Sequence, residues 1–171
     1  MAEPGARANF DPLGALRALH RHGVRFVVIG GVASVAHGSP SVTNDLDICY
    51  ERTTENMERL ATALREINAR LRGAPPDVPF LLDAKTIVRG DAFTFSTDMG
   101  PLDCLGTPSG VRGYEGLLAN SAEVDFGGLT LPVAGIDDLM DMKRAAGRPQ
   151  DLKELEILGA LREELEKRGE L

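Results

Sequence analysis

The chain has 171 residues, of which 43% are hydrophobic and 26% are charged, enough to build one sizeable core but not two. The formal net charge of −7 argues against a broad nucleic-acid surface, because such surfaces neutralise many phosphates with Lys and Arg. The N-terminus has no apolar leader and no apolar run reaches the roughly 18 residues of a membrane span. We therefore expect a single cytoplasmic domain over residues 1–171 with no membrane partner.

The N-terminal part of the chain alternates helical and strand patterns. Asp11 is a candidate N-cap, and the proline and leucines that follow predict a helix that stops at Gly23. The β-branched run at 24–29 predicts a central strand, and the small residues at 31–38 predict a short helix. The sequence DLDICY at 45–50 predicts the next strand.

The middle of the chain is less regular. Apolar residues at helical spacing from Thr54 onward predict a helix that ends at Gly73. Residues 74–91 contain three prolines and no clean period, so we expect mostly loop there. Two strands are then predicted, at 92–97 and 101–106.

The C-terminal part predicts a helix near 114–119 and a hairpin over 122–135 that turns at two adjacent glycines. Two further helices follow, with a break at 147–149. The whole pattern predicts an α/β (α+β) fold in which helices flank a small mixed sheet. Its core lies at about 24–134, and a helical part follows at about 135–171.

Two aspartates in the predicted strand at 45–50 are candidate metal ligands. Strand alternation places Asp45 and Asp47 on one face and directs Leu46 and Ile48 to the other. Carboxylates about 7 Å apart on one strand face repel each other unless a cation lies between them, and oxygen ligands select hard divalent metals such as Mg²⁺. Acidic pairs are also common as solvated turn or capping residues, and the pair alone leaves that alternative open.

The glycines ahead of these aspartates favour the metal interpretation. Gly30 and Gly31 end one strand and begin a helix, which exposes backbone N–H groups to a bound phosphate. Two glycines alone also fit a plain tight turn. The combination of strand, glycine pair, helix and paired aspartates indicates a phosphate site beside a metal site.

These features resemble the DNA polymerase β-like nucleotidyltransferase superfamily, which is marked by Gly-Gly or Gly-Ser at the end of one strand and Asp-X-Asp on the next. Within it, the stretches at 29–48, 96–110 and 137–158 look most like the small bacterial AbiEii-type proteins. Several of those are toxins of toxin-antitoxin pairs. The resemblance spans roughly residues 24 to 158 and implies the nucleotidyltransferase fold.

The resemblance implies transfer of a nucleoside monophosphate from a nucleoside triphosphate to an acceptor hydroxyl. It implies two Mg²⁺ ions, with Mn²⁺ as an alternative, held by Asp45, Asp47 and a third carboxylate on a later strand. Asp103 stands between apolar neighbours, the setting that the superfamily implies for this ligand, and it is also a candidate to accept the proton. Three other aspartates compete for the role but have simpler explanations as turn residues: Asp83, Asp98 and Asp125.

The resemblance also implies a role for the break between the last two helices. Lys143 is expected to contact nucleotide phosphates, and Arg148 and Asp151 are expected to complete or brace the site. The alternative is ordinary capping, because cations favour a helix C-terminus and acids favour the first turn of the next helix.

The chain departs from the superfamily pattern beside the glycines. Gly31 stands where the Gly-Ser members of the superfamily have serine, so Ser34 and Thr43 are candidate replacement hydroxyl donors to the nucleotide. Ser41 and Asn44 stand where related proteins often carry basic residues.

The resemblance leaves the acceptor open. An AbiEii-type toxin would act on RNA, such as a tRNA end, and would have a cognate antitoxin protein as partner. A second hypothesis is nucleotidylation of a protein or a small molecule. A third is an inactive module that binds a nucleotide or a protein partner.

Overall fold

The computed structural model describes residues 9–75, 77 and 80–171, which form a mixed sheet flanked by helices. The strands of this part of the chain are β1 (Phe26–Ile29), β2 (Leu46–Tyr50), β3 (Arg70–Leu71), β4 (Ala92–Thr97), β5 (Gly100–Leu105), β6 (Ala122–Asp125) and β7 (Thr130–Val133). Its helices are α1 (Pro12–Arg21), α2 (Gly30–Ala36), α3 (Thr54–Glu66), α4 (Ala84–Arg89), α5 (Gly113–Ala119), α6 (Ile136–Ala146) and α7 (Pro149–Lys167). The predicted α/β class is confirmed.

The strands lie in the order β3-β4-β5-β2-β1-β7-β6. β2 runs parallel to β5, and β1 runs parallel to β7, while the remaining neighbours are antiparallel. The hairpin predicted over residues 122–135 is confirmed as β6–β7. The central position of β1 explains its sequence, because a strand covered on both faces reads as a continuous apolar run.

Two groups of helices cover the sheet. α1 and α3 contact each other, and their leucines Leu16, Leu19, Leu60 and Leu64 are buried in the core, as expected for amphipathic helices that turn one apolar face inward. α2 contacts α6, and α6 contacts α7. This second group encloses the end of β1 and the start of β2, where the candidate site residues lie.

The helix from Thr54 is shorter than predicted. It ends at Glu66, and Asn68 then adopts a left-handed backbone with φ of 54°. Asn tolerates that conformation better than most residues because its short polar side chain can hydrogen-bond locally. Leu71 fits the helical spacing but lies on the edge strand β3. An apolar residue at this position is compatible with a helix or with a strand, so its spacing alone does not distinguish the two.

The segment predicted as mostly loop contains a helix. Asp83 caps α4, and its Oδ1 accepts a hydrogen bond of 2.8 Å from the backbone N–H of Thr86, which satisfies one of the free N–H groups of the first turn. Residues 76, 78 and 79 of that segment lie outside the described residues.

The break between the last two helices lies where it was predicted. Gly147 ends α6 in a left-handed conformation, and α7 begins at Pro149. Within residues 9–75, 77 and 80–171, no helix combines the length and the apolar character needed to cross a membrane.

Candidate active site

Three predicted carboxylates come together beside one cavity. Asp47 on β2 and Asp103 on β5 are paired residues of two parallel strands, so their side chains point to the same face of the sheet. Asp45 lies one residue before β2. All three line a cavity of about 590 Å³. The register of β2 and β5 therefore brings Asp103 to the pair that the sequence placed on one strand.

The surroundings of Asp47 shift the pKa of its carboxyl group. Burial, and then the charge of Asp103 and a hydrogen bond with it, raise the pKa of Asp47 to about 7. The charge of Asp45 raises the pKa further, and the charge of Lys143 lowers it. The sequence suggested a cation between Asp45 and Asp47, but of the two neighbouring carboxylates Asp103 raises the pKa of Asp47 more than Asp45 does.

The glycine pair lets the carboxylates approach the start of α2. Gly30 has a φ of +66°, which disfavours residues with a side chain, and a Cβ there would lie 2.8 Å from Cγ of Asp47. A Cβ on Gly31 would lie 2.5 Å from Oγ1 of Thr43. Both glycines line the cavity. They bring exposed backbone to the cavity wall and leave room for the carboxyl group of Asp47.

Asp151 anchors the two basic residues at the other side of the cavity. Its side chain is only 1% exposed, and it accepts hydrogen bonds from Arg148 Nε at 2.7 Å, from the Arg148 backbone N–H at 3.1 Å and from Lys143 Nζ at 3.4 Å. The hydrogen bond from Arg148 is the main reason that the pKa of Asp151 falls to about 2. Asp151 therefore caps α7 and fixes the position of both cations.

Lys143 and Arg148 both line the cavity that contains the three carboxylates. The side chain of Lys143 is 26% exposed, and its charge acts on Asp47. A cation in this position attracts an anion that enters the cavity. The structure thus places Lys143 where it can serve both the Asp151 contact and a bound phosphate.

Ser34 differs from its predicted role as a nucleotide ligand. It is 3% exposed, it does not line the cavity, and its hydroxyl donates a hydrogen bond of 3.2 Å to the carbonyl oxygen of Gly30. This bond follows the i to i−4 pattern of serines within helices. Ser34 therefore stabilises α2 rather than reaching the cavity.

The three competing aspartates have local structural roles. Asp83 caps α4. Asp98 accepts a hydrogen bond of 2.5 Å from the amide of Asn68, and Asp125 accepts one of 2.6 Å from the backbone N–H of Gly128. None of the three lines the cavity.

Solved structures of known enzymes share this architecture. The lincosamide antibiotic adenylyltransferase LnuA, with lincomycin bound, matches with a TM-score of 0.57 and 12% identity over 90% of this chain and 99% of that one. ANT(2″)-Ia in complex with adenylyl-2″-tobramycin matches with a TM-score of 0.56 and 14% identity over 90% and 94% of the two chains. The chain has the nucleotidyltransferase fold.

At these sequence identities the likeness establishes a common fold. No protein-family model and no curated protein sequence matches the chain significantly. The nucleotidyltransferase fold expected from the sequence is thus confirmed, and the AbiEii-type assignment stays a prediction.

The fold also brings in a residue that the sequence did not single out. Arg72 donates hydrogen bonds to Asp103 Oδ1 at 3.0 Å and to the carbonyl oxygen of Phe95 at 2.8 Å. The sequence placed Arg72 near the end of a helix, and no local pattern links it to Asp103. Further lining residues with no sequence signal come from the loop after β5 and from α6 and α7: Pro108, Ser109, Met142 and Gln150.

The residues of this nucleotidyltransferase fold suit a divalent cation. In the described ranges, no three His, Cys, Asp or Glu side chains converge into a ready metal site. Mg²⁺ usually binds through one or two carboxylates together with waters and substrate phosphates. The close pair of Asp47 and Asp103, with Asp45 on the same cavity, is a donor set for a cation that binds with a nucleotide.

Proposed function

We propose that the protein is a metal-dependent nucleotidyltransferase that moves a nucleoside monophosphate from a nucleoside triphosphate to an acceptor hydroxyl. The observation that carries this proposal is the meeting of Asp45, Asp47 and Asp103 with the Gly30–Gly31 backbone around one cavity of the nucleotidyltransferase fold. The cavity volume of about 590 Å³ lies within the range of small-molecule and cofactor sites.

The donor nucleotide binds with its phosphates between the two sides of the cavity. The backbone at Gly30 and Gly31 approaches the phosphates closely because neither residue has a side chain. Lys143 and Arg148 supply positive charge from the opposite side, where Asp151 holds them in place. Mg²⁺ or Mn²⁺ held by Asp45, Asp47 and Asp103 would neutralise the phosphate charge and promote attack on the α-phosphorus.

The transfer is an in-line displacement at the α-phosphorus. The acceptor oxygen forms a bond to that phosphorus, and the bond from phosphorus to the α–β bridging oxygen breaks. Pyrophosphate leaves with the electron pair of the broken bond. The proton of the acceptor hydroxyl passes to the carboxylate of Asp103, which faces the cavity beside Asp47.

A small-molecule acceptor is favoured over the other acceptor classes. The two matched enzymes are named for adenylyl transfer to antibiotics, which supports a small acceptor on this fold. An AbiEii-type toxin would instead label an RNA or tRNA end and arrest growth in the absence of its antitoxin. A protein acceptor would carry the label into protein.

The test is incubation of the purified protein with each labelled nucleoside triphosphate, Mg²⁺ and a total cell lysate. Label from the α-phosphate that appears in a new small molecule, chromatographically distinct from the triphosphate and its hydrolysis products and resistant to nuclease and protease, supports the proposal with a small acceptor. Release by nuclease supports RNA, and release by protease supports protein.

The control for this test is a pair of variants. Asp47→Asn abolishes labelling if Asp47 acts in transfer, whereas Asp125→Asn, which alters a hairpin acid outside the cavity, keeps it. Absence of labelling by the wild-type protein with every triphosphate contradicts enzymatic transfer and favours a nucleotide-binding module.

A further inference from the structure

The face of the sheet that carries the carboxylates continues across β4 to the edge strand β3. Asp103 pairs with Thr94 of β4, and Ser96 of β4 pairs with Arg70 of β3. The backbone N–H of Arg72 donates to the carbonyl oxygen of Thr94. Paired residues of neighbouring strands project to the same face, so these four residues extend the face of Asp103 in one direction.

This extension is polar and open. Thr94, Ser96, Arg70 and Arg72 are all exposed. On the other face of β4, Phe95 is fully buried in the core. Alternation along β4 thus leaves an uncovered polar surface, which we call the basic face and define as Arg70, Arg72, Thr94 and Ser96.

The basic face lies on the opposite side of Asp103 from the proposed nucleotide site. Gly30 and Gly31 of the proposed nucleotide site directly follow β1, and Lys143 and Arg148 approach the same cavity from α6 and α7. The basic face lies on β3 and β4, on the far side of β5. An in-line displacement needs the attacking and leaving oxygens on opposite sides of the reacting phosphorus. In this arrangement the acceptor hydroxyl can reach the phosphorus from the basic face, opposite the leaving pyrophosphate.

The positive charge of the basic face favours an anionic acceptor. Arg70 lies on β3 and Arg72 directly follows that strand, two residues and about 7 Å further along the chain, in a protein of net charge −7. The side chain of Arg72 is 35% exposed and forms an ion pair with Asp103, so that carboxylate offsets part of its charge. Guanidinium groups bind phosphate in a bidentate manner, and a phosphate monoester, with a charge of about −1.5 to −2 at pH 7, attracts the two guanidinium groups more strongly than a singly charged diester does.

The size and composition of the surface favour a small ligand over a nucleic acid. The basic face itself contains no aromatic side chain, and the cavity beside it has Phe80 as its one aromatic lining residue among the described residues, whereas single strands are bound by stacking successive bases on aromatic side chains. This second cavity, of about 460 Å³, is lined by Arg70 and Ser96 of the basic face, and it provides room beside Arg70 for the body of a small molecule.

From this arrangement we infer that the acceptor is a small molecule with a phosphate monoester, which Arg70 and Arg72 bind while its hydroxyl faces Asp103. The inference rests on the proposed function and names its acceptor class. Thr94 and Ser96 present hydroxyl groups to the same ligand. A cationic acceptor would be repelled by this surface.

The test uses glycerol 3-phosphate as the probe and maps its binding by amide chemical shifts in the full-length protein. Binding shifts the amide signals of Arg70, Thr94 and Ser96, and glycerol at the same concentration does not. Dimethyl phosphate, a diester with a single charge, binds at least about fivefold more weakly. Arg70→Ala weakens binding of glycerol 3-phosphate at least about fivefold, and Arg89→Ala, an exposed arginine at the end of α4, leaves it unchanged.

Several results would overturn the inference. These are shifts confined to the region of Lys143 and Arg148, binding that Arg70→Ala does not weaken, or equal binding of dimethyl phosphate, which would point to a polynucleotide backbone. Arg70 forms no ion pair with Asp45, Asp47 or Asp103, so Arg70→Ala tests the basic face without disturbing these carboxylates. Arg72→Ala would be a weaker test, because Arg72 pairs with Asp103. Label transfer without these shifts contradicts only this inference, and shifts without label transfer contradict only the proposed function.

Discussion

Asp47 and Asp103 are paired residues of the parallel strands β2 and β5, and their carboxyl groups interact directly beside the main cavity. Burial and this interaction raise the pKa of Asp47 to about 7. Two acids are thus held together at a cost to folding, and a cation bound between them would lower that cost.

The first prediction concerns stability of the metal-free protein as a function of pH. A group whose pKa is higher in the folded than in the unfolded state contributes stability below its unfolded value and loses it as pH rises through the folded value. For Asp47 these values are 3.8 and about 7. The wild type should therefore lose stability between pH 5 and pH 8 relative to Asp47→Asn, by at least about 1 kcal/mol, since one pKa unit corresponds to about 1.4 kcal/mol.

Urea unfolding at four pH values from 5 to 8, in the presence of a chelator, measures this difference. Asp125→Asn should follow the wild-type curve, because its carboxylate lies in the exposed hairpin. Parallel curves for the wild type and Asp47→Asn would show that Asp47 is not the group that titrates.

The second prediction separates the carboxylates by their effect on transfer. Asp45→Asn and Asp103→Asn should each lower the rate of label transfer by more than the about 10-fold to 100-fold typical of residues that only support a metal ligand. Mn²⁺ affinity, measured by electron paramagnetic resonance in the presence of the triphosphate, should fall in parallel. Full activity of Asp103→Asn would remove Asp103 from the proposed site.

The third prediction distinguishes phosphate binding by Lys143 from helix capping. A charged hydrogen bond contributes about 1.5–3 kcal/mol, so Lys143→Ala should raise the KM for nucleotide or lower kcat by about 10-fold to 100-fold. Lys143→Arg should restore activity only in part, because a planar guanidinium does not replace a compact ammonium group. Steady-state kinetics on both variants measure KM and kcat and thereby distinguish phosphate binding from helix capping.

Arg144 provides the matched control for Lys143. It lies next along α6 and pairs with Asp141 at 2.8 Å on the exposed face of the helix, so Arg144→Ala should keep wild-type kinetics. If Lys143 acts only through the helix C-terminus, Lys143→Ala costs about 0.3–1 kcal/mol of stability and leaves the kinetics unchanged.

The fourth prediction concerns Gly31 and Thr43. A serine at position 31 would place its Cβ against Oγ1 of Thr43, and overpacking of this kind typically costs about 1–3 kcal/mol. That Cβ would also lie 2.7 Å from the Cβ of Thr43, an atom that alanine retains and glycine lacks. Gly31→Ser should therefore destabilise the protein strongly, whereas Gly31→Ser combined with Thr43→Gly should recover much of the loss.

A double-mutant cycle by urea unfolding measures this coupling. Thr43→Gly alone removes the 3.0 Å hydrogen bond from the hydroxyl of Thr43 to the carbonyl oxygen of Asp45 and should cost at least about 1 kcal/mol. Additive effects of the two substitutions would mean that position 31 has room for a side chain, contrary to the close approach of Gly31 and Thr43.

The sequence by itself determined the central elements and most of the candidate site. The apolar run of β1, the glycine pair, and Asp45 and Asp47 at the start of β2 follow local patterns, and the resemblance added Asp103, Lys143, Arg148 and Asp151. The glycine pair and these six charged residues line the main cavity. Such elements are predictable because burial of one face imposes a period on the sequence.

The tertiary structure alone decided which groups interact. The turn at Asn68, which ends α3 and returns the chain to the sheet as β3, places Arg72 beside Asp103. The register of β2 and β5, rather than spacing along one strand, makes Asp103 the acid that acts most strongly on Asp47. Sequence cannot give these contacts, because register and the environment of a buried charge depend on residues that are distant in the chain and meet only after folding.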